Sequence, residues 1–219
     1  MTAGTQTVET ILREGAVAVI RMGESRRLSR VIEALLEGGM KVMEITLTMP
    51  DAFEQIQAMS RGFQDSIVIG AGSVLNEADA RKSVQCGARF LVSPVMKPSL
   101  IRQGGRLGVP VFAAGFTPTE ILAAHEAGAA LVKVFPAHVL GLDFFRAVKG
   151  PLPHIPLMPT GGVTPANGGE WILAGAACVG VGGALLDKKA IADENYQLLT
   201  DRARLLLKGI GEARSRLLQ

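Results

Sequence analysis

The chain has 219 residues, a net charge of +3, 48% apolar and 20% charged residues, the balance of a globular chain long enough to bury one core. The positive charge is small and dispersed, and no stretch interleaves clustered Lys or Arg with aromatic residues, so nucleic acid is excluded as the expected partner. No apolar run approaches the roughly 20 residues that span a bilayer, and Cys86 and Cys178, with no CxxC spacing or nearby His, read as free thiols of a reducing cytoplasm.

The first apolar run, Ala16 to Ile20, lies between Glu14 and Arg21 and is too short for a signal peptide. An N-terminal helix precedes it, and Val17 to Arg21 is predicted as strand one. Four later runs share a lead-in, an amphipathic stretch followed by Gly: Gly39 to Met43, Gly87 to Leu91, Gly128 to Val132 and Gly175 to Val179. A Gly just past a helix takes the left-handed conformation without Cβ strain, so each marks a helix end and the start of a buried strand. Between them lie Ser66 to Gly70, Val109 to Ala113 and Ile155 to Pro159, which bring the count to eight strands.

Helix starts are signposted too. Asn76-Glu77 opens the helix that ends near Gly87, Thr117-Pro118-Thr119-Glu120 is a capping box with Pro at the first helical position, and Thr164-Pro165 repeats the cap. The last helix, about Tyr196 to Arg214, carries Leu199, Ala203, Leu206 and Ile210 on one face. Eight βα units in one domain, residues 1–219, predict an α/β fold, a closed (β/α)₈ TIM barrel with an N-terminal helix. An open doubly wound sheet is the alternative, disfavoured because no GxGxxG opens the first helix.

In such barrels chemistry sits at the C-terminal ends of the strands. Strand two reads Glu44-Ile45-Thr46-Leu47-Thr48, with Glu44, Thr46 and Thr48 expected on one face; strand six places Lys133 and Phe135 together. Ionised side chains in buried strands are costly. A buried Glu44–Lys133 ion pair that only fixes packing is the plain alternative. The chemical reading is that desolvation lowers the lysine pKa, which frees a neutral amine to attack a ketone while Glu44 relays protons. The resulting iminium is the electron sink, so neither a metal nor a cofactor is expected. His125, His138 and His154 lie on a helix or in loops and read as solvated or capping groups.

Strand seven ends Pro159-Thr160-Gly161-Gly162-Val163-Thr164 and strand eight Gly180-Val181-Gly182-Gly183-Ala184. Paired glycines there suit phosphate held by backbone N–H groups; tight turns are the alternative. Strand three ends Gly70-Ala71-Gly72-Ser73, strand four Ser93-Pro94, and Arg21 closes strand one as a cation placed to meet a carboxylate, a surface charge at a strand end being the alternative.

Together, Glu44-Ile-Thr-Leu-Thr-x-Pro50, Gly70-Ala-Gly-Ser-Val74, Ser93-Pro94, Lys133-Val-Phe-Pro136 and Pro159-Thr-Gly-Gly-Val163 resemble the 2-keto-3-deoxy-6-phosphogluconate (KDPG) aldolases, a family with 4-hydroxy-2-oxoglutarate aldolase activity as well. The resemblance runs from about Ile11 to the last helix. It implies a class I pyruvate aldolase of the Entner–Doudoroff type, a homotrimer acting on a small keto-acid phosphate. Position by position it implies Lys133 as the Schiff-base lysine, Glu44 as general acid/base, and Phe135, Ser73, Pro94 and Thr160 along the pyruvyl group. Gly161, Gly162, Gly182 and Gly183 would hold phosphate. Two positions depart from the family. Many members carry Arg where this chain has Thr48, which leaves Arg21 for the substrate carboxylate. Gly183 and Ala184 stand where a serine is often found. Two alternatives follow: the galactonate-derived epimer as substrate, against which Pro159-Thr160 leans, and a non-lyase phosphate-binding barrel with Lys133 as a mere cation.

Overall fold

The computed structural model describes residues 2–219. Helix α1 (Ala3–Glu14) precedes eight parallel strands, β1 (Ala16–Ile20), β2 (Val42–Thr46), β3 (Val68–Gly72), β4 (Leu91–Val92), β5 (Val111–Gly115), β6 (Leu131–Val134), β7 (Leu157–Pro159) and β8 (Val179–Val181). Between them run α2 (Leu28–Glu37), α3 (Ala52–Phe63), α4 (Glu77–Gln85), α5 (Pro98–Leu107), α6 (Pro118–Glu126), α7 (Ala137–Lys149) and α8 (Gly168–Leu173). The chain ends with α9 (Lys188–Ala192) and α10 (Tyr196–Leu217). The strands pair in the order β7-β6-β5-β4-β3-β2-β1-β8, and a Thr160–Gly180 bridge joins β7 to β8, so the (β/α)₈ barrel closes.

The punctuation of the sequence is borne out. Gly39, Gly87, Gly128 and Gly175 all take positive φ, between 93° and 103°, just past a helix. Asn76 caps α4, and Thr117 with Glu120 forms the full capping box of α6. Thr164 and Asn167 bond reciprocally, Thr164 N–H to Oδ1 at 2.7 Å and Asn167 N–H to Oγ1 at 3.2 Å, so Thr164 caps as expected, but the segment after it is a turn and the regular helix α8 begins only at Gly168.

Strand limits differ where local signals compete. The first strand stops at Ile20, one residue before Arg21. A 3₁₀ turn over Gln64–Ser66 delays β3 to Val68, and β4 is only two residues long. Thr48 lies outside β2: the Met49 N–H donates to the Thr46 carbonyl at 3.0 Å, a turn that ends the strand before Pro50.

Inward side chains of the strands, Val17, Val42, Val68, Val92, Phe112, Leu131 and Met158, with Phe90 and Cys178 just before β4 and β8, form a core inside the barrel. The opposite faces pack against the helices in a second, larger core. Phe90 and Phe112 stack at 5.3 Å, and Phe90 lies over Gly70, where any Cβ would overlap its ring. The Ile11 side chain of α1 joins the inner core and covers its N-terminal end. Arg214 of α10 holds α1 there by donating to the carbonyls of Arg13, Leu12 and Ala177. The inner face turns polar toward the opposite, C-terminal ends of the strands, where Glu44, Lys133 and Thr160 lie.

Candidate active site

Side-chain alternation carries the inner face from apolar to polar along the barrel axis. Leu131 lies inside, so Lys133, two residues on, does also; Val42 and Glu44 follow the same rule on β2. Glu44 is fully buried and Lys133 is 6% exposed. Gly72, opposite Thr46 in the β2–β3 register, carries no side chain because the Glu44 carboxylate occupies that space. Thr160 is inward on the row of Met158, and its hydroxyl lies against Gly180 in the same manner. Small residues on β3 and β8 therefore make room for the polar groups of β2 and β7.

These groups are not satisfied by the protein. Both Glu44 oxygens and the Thr160 hydroxyl are buried without a hydrogen-bond partner. Such orphans are rare in native structures and concentrate where a ligand completes the set. Burial pushes the Glu44 carboxyl above its ordinary value of 4.5, while the charges of Lys133 and then Arg21 pull against that rise. The two cations thus act on Glu44 through the field without pairing with it by hydrogen bond. The packing ion pair entertained from sequence is not the arrangement observed, since a pair of that kind would satisfy its oxygens.

Arg21 follows β1 on the inward row of Val17 and Val19, and Val19 is in register with Glu44. It also lines a surface hollow of about 190 Å³ with Met22, Leu186 and Lys188, between the loops after β1 and β8. A hollow of about 390 Å³, lined by Arg26, Arg27, Arg30, Glu194 and Tyr196, lies outside the barrel mouth. Phe135 lies beyond the end of β6, 41% exposed, with its ring centroid 5.3 Å from Lys133 Nζ. Ser73 stands just past β3 with φ 61°, a conformation uncommon for a residue with a Cβ. Pro94 follows β4, and the Val74 N–H donates to the Val92 carbonyl at 3.1 Å, which ties these two loops together.

The Thr46 hydroxyl donates to the Ile20 carbonyl at 3.0 Å and meets the Thr48 hydroxyl at 3.1 Å. Since a carbonyl can only accept, the Thr46 proton is committed to it, and Thr48 is the donor of the second bond. Thr48 thus spends its proton on Thr46, the residue that supports the end of β1, and keeps only lone pairs to offer, a poor complement to a carboxylate.

Gly161 and Gly162 have φ 88° and 79°, and no backbone hydrogen bond among the described residues uses their N–H groups. The loop is pinned from behind by Asn167 Nδ2, which donates to the Gly162 carbonyl at 3.0 Å. Gly182 turns the chain, its carbonyl accepting from Leu185 and Leu186; Gly183 has nothing within 4 Å of a would-be Cβ, so close packing does not demand glycine there. Sequence reasoning missed His138. The Ala137 N–H donates to the Thr160 carbonyl at 2.9 Å, which docks the start of α7 on the end of β7 and lays His138 over the two glycines. Only the pairing of β6 with β7 brings these together, and local pattern carries no sign of it.

The sequence profile of a family described as "Aldolase: KDPG and KHG aldolase" matches residues 8–201. The chain is 35% identical over 170 residues to the "Probable 2-dehydro-3-deoxy-6-phosphogalactonate aldolase" of Rhizobium meliloti, which covers 77% of this chain and 80% of the relative. It is 30% identical over 206 residues to the "KHG/KDPG aldolase" of Escherichia coli, covering 93% and 96%. A crystal structure of KDPG aldolase from Legionella pneumophila, with pyruvate captured as a covalent carbinolamine intermediate, superposes with a TM-score of 0.84 at 29% identity, covering 91% of this chain and 97% of the other.

Proposed function

The chain belongs to the KDPG and KHG aldolase family, a carbon–carbon lyase family, and we propose that it works by a class I mechanism through a Schiff base on Lys133. The observation that carries this reading is the buried, unpartnered Glu44 carboxylate facing an interior that also holds the Lys133 amine. The match to a lyase family displaces the reading of a non-lyase barrel.

The steps follow from these groups. The neutral amine of Lys133 adds to the C2 ketone of a 2-keto acid, and Glu44 in its acid form gives a proton to the departing hydroxyl as water leaves. The iminium then accepts the electron pair of the C3–C4 bond as Glu44, now a carboxylate, takes the proton of the C4 hydroxyl. An aldehyde departs, the enamine is protonated at C3 by Glu44, and water hydrolyses the imine to pyruvate. The burial that lifts the Glu44 carboxyl lets it serve as acid and base in turn.

Arg21 would hold the substrate carboxylate, with Thr48 behind it. Phe135, Pro94 and Ser73 would border the pyruvyl group. The Thr160 hydroxyl, unpartnered over Gly180, is available to a hydroxyl of the sugar chain. Gly161 and Gly162 would receive phosphate on their N–H groups, with Gly182 and Gly183 opposite. The substrate is accordingly 2-keto-3-deoxy-6-phosphogluconate, cleaved to pyruvate and D-glyceraldehyde 3-phosphate, with 4-hydroxy-2-oxoglutarate as a second substrate giving pyruvate and glyoxylate.

A cytoplasmic location fits the free cysteines, of which buried Cys178 has its thiol pushed up to about 12. Among the described residues no helix is long and apolar enough to cross a membrane. A homotrimer is supported by Leu75, Val95 and Val139, exposed apolar residues on the β3, β4 and β6 sides of the barrel mouth. Light scattering on the purified protein reads its mass directly.

The substrate assignment is tested by kcat/KM measured side by side on the gluconate and galactonate epimers and on 4-hydroxy-2-oxoglutarate. Preference for the gluconate epimer is the expected result. A reversed preference would assign the Thr160 hydroxyl to the other stereochemistry and leave the lyase mechanism intact.

A further inference from the structure

We propose that His138 is a phosphate-binding residue that sets specificity for phosphorylated substrates, with its imidazole forming one wall of the cradle made by Gly161 and Gly162. The inference rests on the reading of that cradle as the phosphate site. Three observations carry it. A Cβ on Gly162 would overlap the His138 Cβ, and a Cβ on Gly161 would be 3.4 Å from His138 Nδ1, so the imidazole lies against both glycines. The position is fixed by backbone, because the Ala137 N–H to Thr160 carbonyl bond of 2.9 Å locks residue 137 to the strand that ends in the cradle. The ring is also exposed to solvent and free to meet a ligand entering from the mouth.

The chemistry of the cradle calls for such a group. Two backbone N–H groups offer partial positive charge to a phosphate, whereas a dianion is matched by a donor that can also carry charge. Gly183 and Ala184 supply no side-chain donor on the opposite side. Lys133 is consumed by the imine, and Arg21, which follows β1 two strands from β7, is engaged by the substrate carboxylate in the proposed site. His138 is the ionisable side chain that packs on the glycine pair itself.

The test compares KDPG with the unphosphorylated 4-hydroxy-2-oxoglutarate in the wild-type protein and in His138→Ala, His138→Gln and His138→Arg. Expected for His138→Ala is a rise of about tenfold in KM for KDPG, with kcat within about twofold and no change on 4-hydroxy-2-oxoglutarate. His138→Gln should recover part of the loss and His138→Arg most of it. Equal KM changes on both substrates, or none on either, would overturn the proposal. Inorganic phosphate separates this inference from the reading beneath it. It should compete with KDPG in the wild type, and more weakly in His138→Ala. Competition in the wild type with the same inhibition constant in His138→Ala removes His138 alone; no competition in the wild type removes the cradle, and His138 with it.

Discussion

Gly72 on β3 is placed so that a methyl group on it would overlap the Glu44 carboxylate of β2. A residue with no side chain therefore decides where the buried acid stands. Gly72→Ala should push Glu44 out of line with Lys133 and lower kcat by about 10²-fold or more, the usual scale for losing a placed acid/base. Steady-state kinetics alongside circular dichroism checks this; a folded Gly72→Ala protein with normal turnover would show that Glu44 needs no such placement.

The same burial makes Glu44 a cost to the fold. A carboxyl raised above its unfolded value binds its proton more tightly in the native state, so stability is lost as pH rises from about 4.5 through the raised native value. Glu44→Gln abolishes that loss. Its Tm should match or fall below the wild type near pH 4 and exceed it at pH 8, by roughly 2–4 °C per kcal/mol regained, while turnover collapses. Thermal melts of both proteins across this range give the answer, and a Tm difference independent of pH would count against the assignment.

In the proposed site Arg21, and not Thr48, meets the substrate carboxylate. Because the Thr48 proton goes to Thr46 and the Thr46 proton to the Ile20 carbonyl, Arg21 is the group left for the substrate carboxylate. Arg21→Gln should raise KM for pyruvate-derived substrates by about 10- to 100-fold, the scale of a charged hydrogen bond. Thr48→Val should cost only a few-fold. The double change Arg21→Gln with Thr48→Arg should restore most of the affinity, and an absence of rescue would mean that the carboxylate is held elsewhere.

Arg214 is the counterpart at the closed end of the barrel. It donates to three carbonyls on α1 and before β8, and its removal frees the helix that seals the interior. Arg214→Ala should lose about 2–3 kcal/mol in urea unfolding, with KM unchanged in protein that remains folded.

The barrel was legible because each element announces itself locally: glycines 39, 87, 128 and 175 each adopt the left-handed conformation their position demands, and alternation alone aims Lys133 and Glu44 inward. Legibility stops where distant segments meet. Thr48 reads as part of strand two until the turn on the Thr46 carbonyl removes it, and Pro165 reads as the first residue of a helix that becomes regular only at Gly168. Gly72 and Gly180 read only as glycines near the ends of strands three and eight; their reason is a side chain from the neighbouring βα unit. His138 reads as a solvated residue because its partners, Gly161 and Gly162, belong to another βα unit.

Imine formation at Lys133 is the claim on which the rest depends, and sodium borohydride added with pyruvate tests it in one step. Peptide mass spectrometry should find a single reduced pyruvyl adduct on the peptide that carries Lys133, and none in Lys133→Arg. Lys133 left unmodified under conditions that label a known class I aldolase would contradict the account.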